Sequence, residues 1–191
     1  MLNAQFFGRI RVKVAQVTFF LLFLYCFIIA PIAIDPLCET KGLIGATVMI
    51  LGALIRSLSA GYISKNDFLA SEGLYALTRN PLYFGSFTAL LGLNIVIWDL
   101  LFAVVTATLF AITYIPTILK EEAGLAHAFP VQWPLFKKST PRFFPAFWRL
   151  YAYKQIHWSY ALWKRNREYR GFATVLLLIA ALAWYSTRVT Q

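Results

Sequence analysis

Gly73-Leu74-Tyr75-Ala76-Leu77-Thr78-Arg79-Asn80-Pro81-Leu82-Tyr83-Phe84-Gly85 lies between two long apolar runs. It places an Arg, an Asn and a Pro where the chain re-enters an apolar stretch. An unpaired charge or amide is costly in hydrocarbon, so such a cluster needs partners. The residue before a proline is biased away from helix. Asn80-Pro81 therefore predicts a break just ahead of a new helix, with freed backbone groups that must bond to protein or ligand. A broken helix entry carrying an arginine is a candidate anion or cofactor site.

The chain around it has 191 residues, 60% hydrophobic and 14% charged, with a mean hydropathy of +0.64. Soluble domains sit near ~45–50% apolar and ~25% charged, so composition predicts an all-α integral membrane protein. The net charge of +10 is explained by the positive-inside rule and calls for no nucleic acid. The first apolar run is too long for a cleavable secretory signal, and no small-residue cleavage site follows it. Cys26 and Cys38 lack CxxC spacing, and His127 and His157 lack ligand spacing, so no disulfide and no metal site are expected.

About 20 residues cross a hydrocarbon core of ~30 Å. On that measure spans are expected at Val14 to Ile34, Gly42 to Tyr62, Pro81 to Trp98 and Leu100 to Leu119. Pro116 should kink the fourth. Gly42, Gly45, Ala46, Gly52 and Ala53 equip the second span for close helix packing. The loop between the second and third spans runs from Ile63 to Asn80, and Asp99 marks a tight turn between the third and fourth. A fifth apolar run, Phe172 to Tyr185, is short, and is expected to span or to lie in the interface. About five transmembrane helices result. The chain divides into a four-helix core over residues 1–119, a basic aromatic segment over 120–171 and a C-terminal helix over 172–191. Trp133, Trp148, Trp158 and Trp163 suit the middle segment to a headgroup surface.

Arg9, Arg11, Lys13, Lys65, Arg79 and the basic residues of 120–171 fall on one side, which sets the N-terminus and the motif face in the cytoplasm. No internal repeat is visible, which disfavours a transporter of inverted halves. No Gly-rich nucleotide loop or Ser-His-Asp order is present.

Four features share that cytoplasmic face: Arg79 to Gly85; Glu121-Glu122; Leu125 and Phe129, which lie on the helix face of Glu122, with Trp133 and Phe136 beyond them; and the rigid turn Pro141-Arg142-Phe143-Phe144-Pro145. Pro130 and Pro134 are expected to break the helix that follows Glu122. Each feature has a plain reading too. Arg79 can snorkel, the glutamates can be a solvated helix face, and Tyr75 and Tyr83 can be interfacial belt residues. Arg56, inside the second span, lies too deep for an unpaired surface role.

Taken as a set, TRNPLYFG and EEAGLAHAFPVQWPLFKKSTPRFFP resemble the integral membrane methyltransferases. That superfamily includes isoprenylcysteine carboxyl methyltransferases and phospholipid N-methyltransferases. Its pattern is Arg-His-Pro-x-Tyr-x-Gly, then Glu-Glu-x-x-Leu-x-x-x-Phe, then a stretch ending in Pro-Arg-x-x-Pro. Arg79, Pro81, Tyr83 and Gly85 match the first part. Glu121, Glu122, Leu125 and Phe129 match the second, and Pro141, Arg142 and Pro145 the third. Asn80 departs from the usual His, and Trp133 from a more usual Tyr. The resemblance covers roughly residues 56–145.

The resemblance implies S-adenosylmethionine as cofactor, S-adenosylhomocysteine as product, and a lipid or lipidated methyl acceptor taken from the bilayer. A bacterial inner membrane is the expected setting. Glu122, Arg142 and Arg79 become candidate catalytic residues. The candidate cofactor-binding set is Tyr75, Arg79, Asn80, Pro81, Tyr83, Gly85, Glu121, Glu122, Leu125 and Phe129. An arginine suits the cofactor's carboxylate, a glutamate its ammonium or ribose hydroxyls, and aromatic rings its adenine and sulfonium. A bare Gly85 lets backbone come close. The alternatives are a non-catalytic lipid-binding scaffold that keeps the fold, and a sterol-reductase-like enzyme.

Overall fold

The computed structural model describes residues 39–63, 68–149 and 158–189, with 17, 18, 20–22, 24, 25, 28 and 37 besides. Among them the chain is all-α. Seven helices follow in order: α1 Thr40–Ala60, α2 Leu74–Leu77, α3 Pro81–Ile97, α4 Leu100–Ala128, α5 Gln132–Ser139, α6 Tyr160–Asn166 and α7 Tyr169–Val189. α1, α4 and α7 are long and apolar enough to cross a membrane, and α3 is a shorter apolar helix of 17 residues. The expected first span and both cysteines fall largely or wholly outside the described residues.

α1 and α3 pack through two pairs of glycines, each pair seven residues apart on its helix. A Cβ on Gly52 would lie 2.5 Å from Gly85 O and 2.3 Å from Ala89 N; one on Gly92 would lie 2.5 Å from Gly45 O. Lipid supplies no hydrophobic drive between spans, so this close van der Waals fit does the holding. Ala46, Met49, Leu93, Val96 and Ile97 extend the seam. Phe102, Leu22 and Ile179 and Leu182 of α7 complete the core.

The α3–α4 turn is as tight as Asp99 suggests. Trp98 closes α3 in the left-handed region at φ 51, and the Asp99 carboxylate caps α4 by accepting from Phe102 N at 2.7 Å. Such a cap satisfies one of the orphan amides of the first turn. Deeper in the pair, Thr106 Oγ1 donates to Asn94 Oδ1 at 3.1 Å.

Three expected boundaries move. The fourth span was drawn to Leu119, but α4 continues to Ala128. Lys120, Glu121, Glu122, Leu125 and three alanines are good helix formers, and polarity alone does not end a helix. Pro134 does not break the chain. It sits in the first turn of α5, where its missing N–H costs nothing; the interruption is confined to Phe129–Val131. The last helix outruns its apolar stretch at both ends and reaches 21 residues.

The described residues of 120–171 fall into two parts, 120–149 and 158–171. The first, through Arg149, stays beside the motif. The second wraps the end of α1, whose last carbonyls have no partner within the helix. Asn166 Nδ2 donates to Ala60 O at 2.8 Å and Ile63 O at 3.1 Å. Ser159 N donates to Gly61 O at 3.0 Å, and the Trp158 indole to Leu58 O at 3.2 Å.

Candidate active site

The predicted break at Asn80-Pro81 is present. α2 ends at Leu77, Thr78 is extended at φ −148 and ψ 145, and α3 starts with Pro81 at its first position. Gly73 opens α2 at φ 57; a side chain there would strike the ring of Tyr62, 2.3 Å from its Cζ. The extended stretch pairs with the Pro141–Ala146 turn. Arg79 N donates to Pro141 O and Ala146 N to Leu77 O, each at 2.9 Å. Thr78 Oγ1 donates to Phe143 O, also at 2.9 Å. The backbone groups released by the proline are thus met by protein.

This pairing carries Arg142 to Glu122. Phe143 anchors it, its ring edge-on to Phe84, Phe87 and Phe110 at centroid distances of 5.9, 5.6 and 6.2 Å. Edge-to-face packing of this kind fixes ring orientation. Arg142 Nη2 lies 3.1 Å from Glu122 Oε2, and its Nε donates to the same oxygen at 3.1 Å.

Glu122 is the centre of the cluster. It is 7% exposed, Asn80 7% and Arg79 9%, so neither a solvated helix face nor a snorkelling arginine describes them. Asn80 Nδ2 donates to Glu122 Oε1 at 3.3 Å and to Arg142 O at 2.9 Å. Arg79 Nη1 donates to Lys137 O at 2.8 Å, and its guanidinium lies 5.8 Å from the centroid of the Trp133 ring. Arg79 Nε is 3.1 Å from Glu122 Oε1, yet its buried N–H makes no hydrogen bond. That pair is Coulombic, with a donor left over. Two arginines against one carboxylate leave the cluster one positive charge in surplus, and Arg142, half exposed, faces out with it.

Glu121 belongs to a different group. It is exposed and accepts from Tyr83 OH at 2.6 Å. Tyr83 stands edge-on to Tyr114 at 5.3 Å. Tyr75 is buried behind them. Burial first, and then the nearby Glu121, Tyr83 and Glu168, push its phenol well above the ordinary tyrosine range. Leu125 packs with Tyr62, Tyr75, Trp133 and Phe136, and Phe129 closes α4 with its N–H on Leu125 O at 2.9 Å. Gly85 faces α1, where a Cβ would meet Gly52 O at 2.7 Å and Arg56 Cγ at 2.8 Å. The close approach it permits is that of a helix.

A cavity of about 870 Å³ lies beyond α5, lined by Leu69, Ala76, Phe136, Thr140, Lys138 and Arg149 among others. None of Arg79, Asn80, Glu122 and Arg142 lines it, but α5, which does, also receives the Arg79 hydrogen bond at Lys137 O. Its volume is in the range of small-molecule sites, roughly 300–1,000 Å³.

Sequence reasoning did not pair Arg56. Its guanidinium holds Glu168 through Nη2 to both carboxylate oxygens at 2.9 Å and through Nε at 3.1 Å. One signal was present: Glu168 is the only acidic residue after Glu122.

The site thus joins a buried Arg79–Glu122 pair and the half-exposed Arg142 at a broken helix entry, on a frame with three helices long and apolar enough to cross a membrane. Residues 42–132 match the phospholipid methyltransferase family, part of the integral membrane methyltransferase superfamily. Two curated relatives are similar. The cobalt-zinc-cadmium resistance protein CzcN of Cupriavidus metallidurans is 37% identical over 114 residues, which is 59% of this chain and 51% of that protein. The nickel-cobalt-cadmium resistance protein NccN of Alcaligenes xylosoxydans is 33% identical over 108 residues, 56% of this chain and 49% of that protein. The chain thus spans about half the length of the curated relatives it matches. No solved structure matches it.

Proposed function

We propose that the protein transfers a methyl group from S-adenosylmethionine to a lipid or lipidated acceptor at the cytoplasmic surface of a bacterial inner membrane. The observation that carries this reading is the Glu122 carboxylate held between Arg79 and Asn80, all within the family-matching segment, and Arg142 just beyond it. Members of the family use S-adenosylmethionine. The names of the relatives speak of resistance to metals, not of a reaction, so the reading rests on the family and the cluster.

The donor set fits that cofactor. The surplus cation, carried outward by the half-exposed Arg142, suits a carboxylate. Glu121 suits an ammonium or ribose hydroxyls, and the cavity beyond α5, with both apolar and polar lining, suits an adenosyl group. When bound, the cofactor supplies an activated methyl carbon for in-line displacement. The chain's own residues hold and align the reactants and keep water out, which is most of what such a displacement needs. Arg142 and Arg79 hold an anionic group, Glu122 fixes both arginines, and Tyr83 presents Glu121 toward the acceptor side. There Glu121 takes the proton of an amine acceptor; a carboxylate or thiolate needs none taken.

The test is calorimetric titration of S-adenosylhomocysteine into the detergent-purified protein. Wild type is expected to bind in the micromolar range, and Glu122→Ala and the isosteric Glu122→Gln to bind 10–100-fold more weakly. Methyl groups labelled on the cofactor should then enter a component of native lipid extract. A folded wild type that binds nothing sinks the reading and leaves the lipid-binding scaffold.

A further inference from the structure

Arg56 sits in the last turns of α1, and an arginine on an apolar helix demands a partner. It finds partners on two other elements. Its bidentate fork to Glu168 reaches the start of α7, with side-chain exposures of 28% for Arg56 and 17% for Glu168. Its Nη1 donates to Ser86 Oγ and, at 3.5 Å, to Leu82 O. Ser86 Oγ in turn donates to Leu82 O at 3.1 Å. Leu82 and Ser86 flank Tyr83 on the first turns of α3. Gly85 is bare where the Arg56 stem passes, since a Cβ would lie 2.8 Å from Arg56 Cγ. Trp163, one turn before Glu168, donates its indole N–H to Ser57 Oγ at 2.7 Å.

We propose that Arg56 and Glu168 are positioning residues. They fasten the C-terminal helix to the motif and set the rotation of the first turn of α3, and through it the aim of Tyr83 at Glu121. Bidentate arginine–carboxylate pairs fix geometry as well as charge, which suits them to this task. Glu168 lies outside residues 42–132, the stretch matched to the family. The device therefore ties the C-terminal part of this chain to the shared motif. Its bearing on cofactor affinity rests on the function proposed above; its bearing on Tyr83 does not.

The experiment uses the full chain labelled with 3-fluorotyrosine, the Tyr83 fluorine resonance being assigned from its absence in Tyr83→Phe. Glu168→Ala and the isosteric Glu168→Gln should each move or broaden that resonance, with thermal melting in detergent as the check on folding. Both should raise the S-adenosylhomocysteine dissociation constant about fivefold or more. Arg56→Lys, which keeps the charge and loses the fork, should fall between wild type and Arg56→Ala on both readouts. An unmoved Tyr83 resonance in folded Glu168→Ala and Glu168→Gln overturns the proposal. A moved resonance with wild-type affinity confines the pair to docking α7 and overturns its role at the site. If wild type binds no S-adenosylhomocysteine, the methyltransferase reading fails, and the resonance alone decides whether Arg56 and Glu168 aim Tyr83.

Discussion

Glu121 and Glu122 are adjacent in sequence and held by different partners: Glu122 is buried among Arg79, Asn80 and Arg142, while Glu121 is exposed and takes the Tyr83 hydroxyl. Successive residues on a helix point about 100° apart, so one pair of carboxylates serves two directions. Removing a partner from a buried ion pair costs roughly 3–5 kcal/mol, whereas an exposed pair is worth about 0–1 kcal/mol. Glu122→Ala should therefore destabilise the protein severely and Glu121→Ala hardly at all, as read by thermal melting in one detergent. Equal losses would contradict the division.

Tyr83→Phe removes the hydroxyl from Glu121 and nothing from the buried cluster. We expect S-adenosylhomocysteine affinity and methyl transfer to fall together, about tenfold, on the order of 1.5 kcal/mol for a hydrogen bond to a charged group. The measurement is turnover beside calorimetry. Slower turnover with unchanged affinity would place Tyr83 on the acceptor side alone.

Asn80 cannot change charge between pH 5 and 8, and an imidazole can. Asn80→His should bind S-adenosylhomocysteine with a dependence on pH that wild type lacks. The two neighbouring arginines outweigh Glu122 and oppose protonation, so the divergence should appear at the acid end. Asn80→Ala should instead weaken binding at every pH, because Glu122 and Arg142 O both lose a donor. Titrations at pH 6 and pH 8 decide between these outcomes.

Tyr75 keeps its proton in the folded state to higher pH than in the unfolded chain. Above the ordinary tyrosine value of 10.0 the unfolded state sheds that proton and the folded state does not, so stability must fall as pH rises. Tyr75→Phe should remove part of that alkaline slope while leaving melting at pH 7 to 8 close to wild type. Melting curves from pH 8 to 11 test it; parallel slopes would show that Tyr75 is not the group responsible.

The α1–α3 seam makes a packing prediction. A methyl at position 52 would overlap the backbone of α3, 2.3 Å from Ala89 N, which cannot swing aside as a side chain can. Gly52→Ala should cost about 1–3 kcal/mol. Gly124→Ala, with nothing near its added carbon, should be neutral or slightly stabilising.

Much of the frame was legible because it obeys local rules. Asn80-Pro81 announces a break, Asp99 a tight turn, and the small residues of the second span close helix packing. The apolar signal alone did not give the end of α4: it stops at Leu119, and the helix face of Glu122, Leu125 and Phe129 with the break at Pro130 carries the helix to its end at Ala128. Nor could spacing say which glutamate faces the arginines, because that depends on how the Pro141–Ala146 turn returns to Leu77 and Arg79. The partner of Arg56 was hidden for the same reason, being 112 residues away. Gly85 was read as room for a cofactor, whereas its open position faces Gly52 O and the stem of Arg56.

The length of α4 also acts as a depth gauge. At ~1.5 Å per residue, about 33 Å of helix separate Asp99 from Glu121, against a hydrocarbon thickness of ~30 Å. With the Trp98–Asp99 turn moored at one membrane face, the carboxylates are carried to just beyond the other. On the proposed function, an acceptor must then raise its reactive atom to that plane, and a thicker bilayer would draw the carboxylates down among the acyl chains. Lipid tail length, far from any contact with the site, becomes a control on which molecules can meet it.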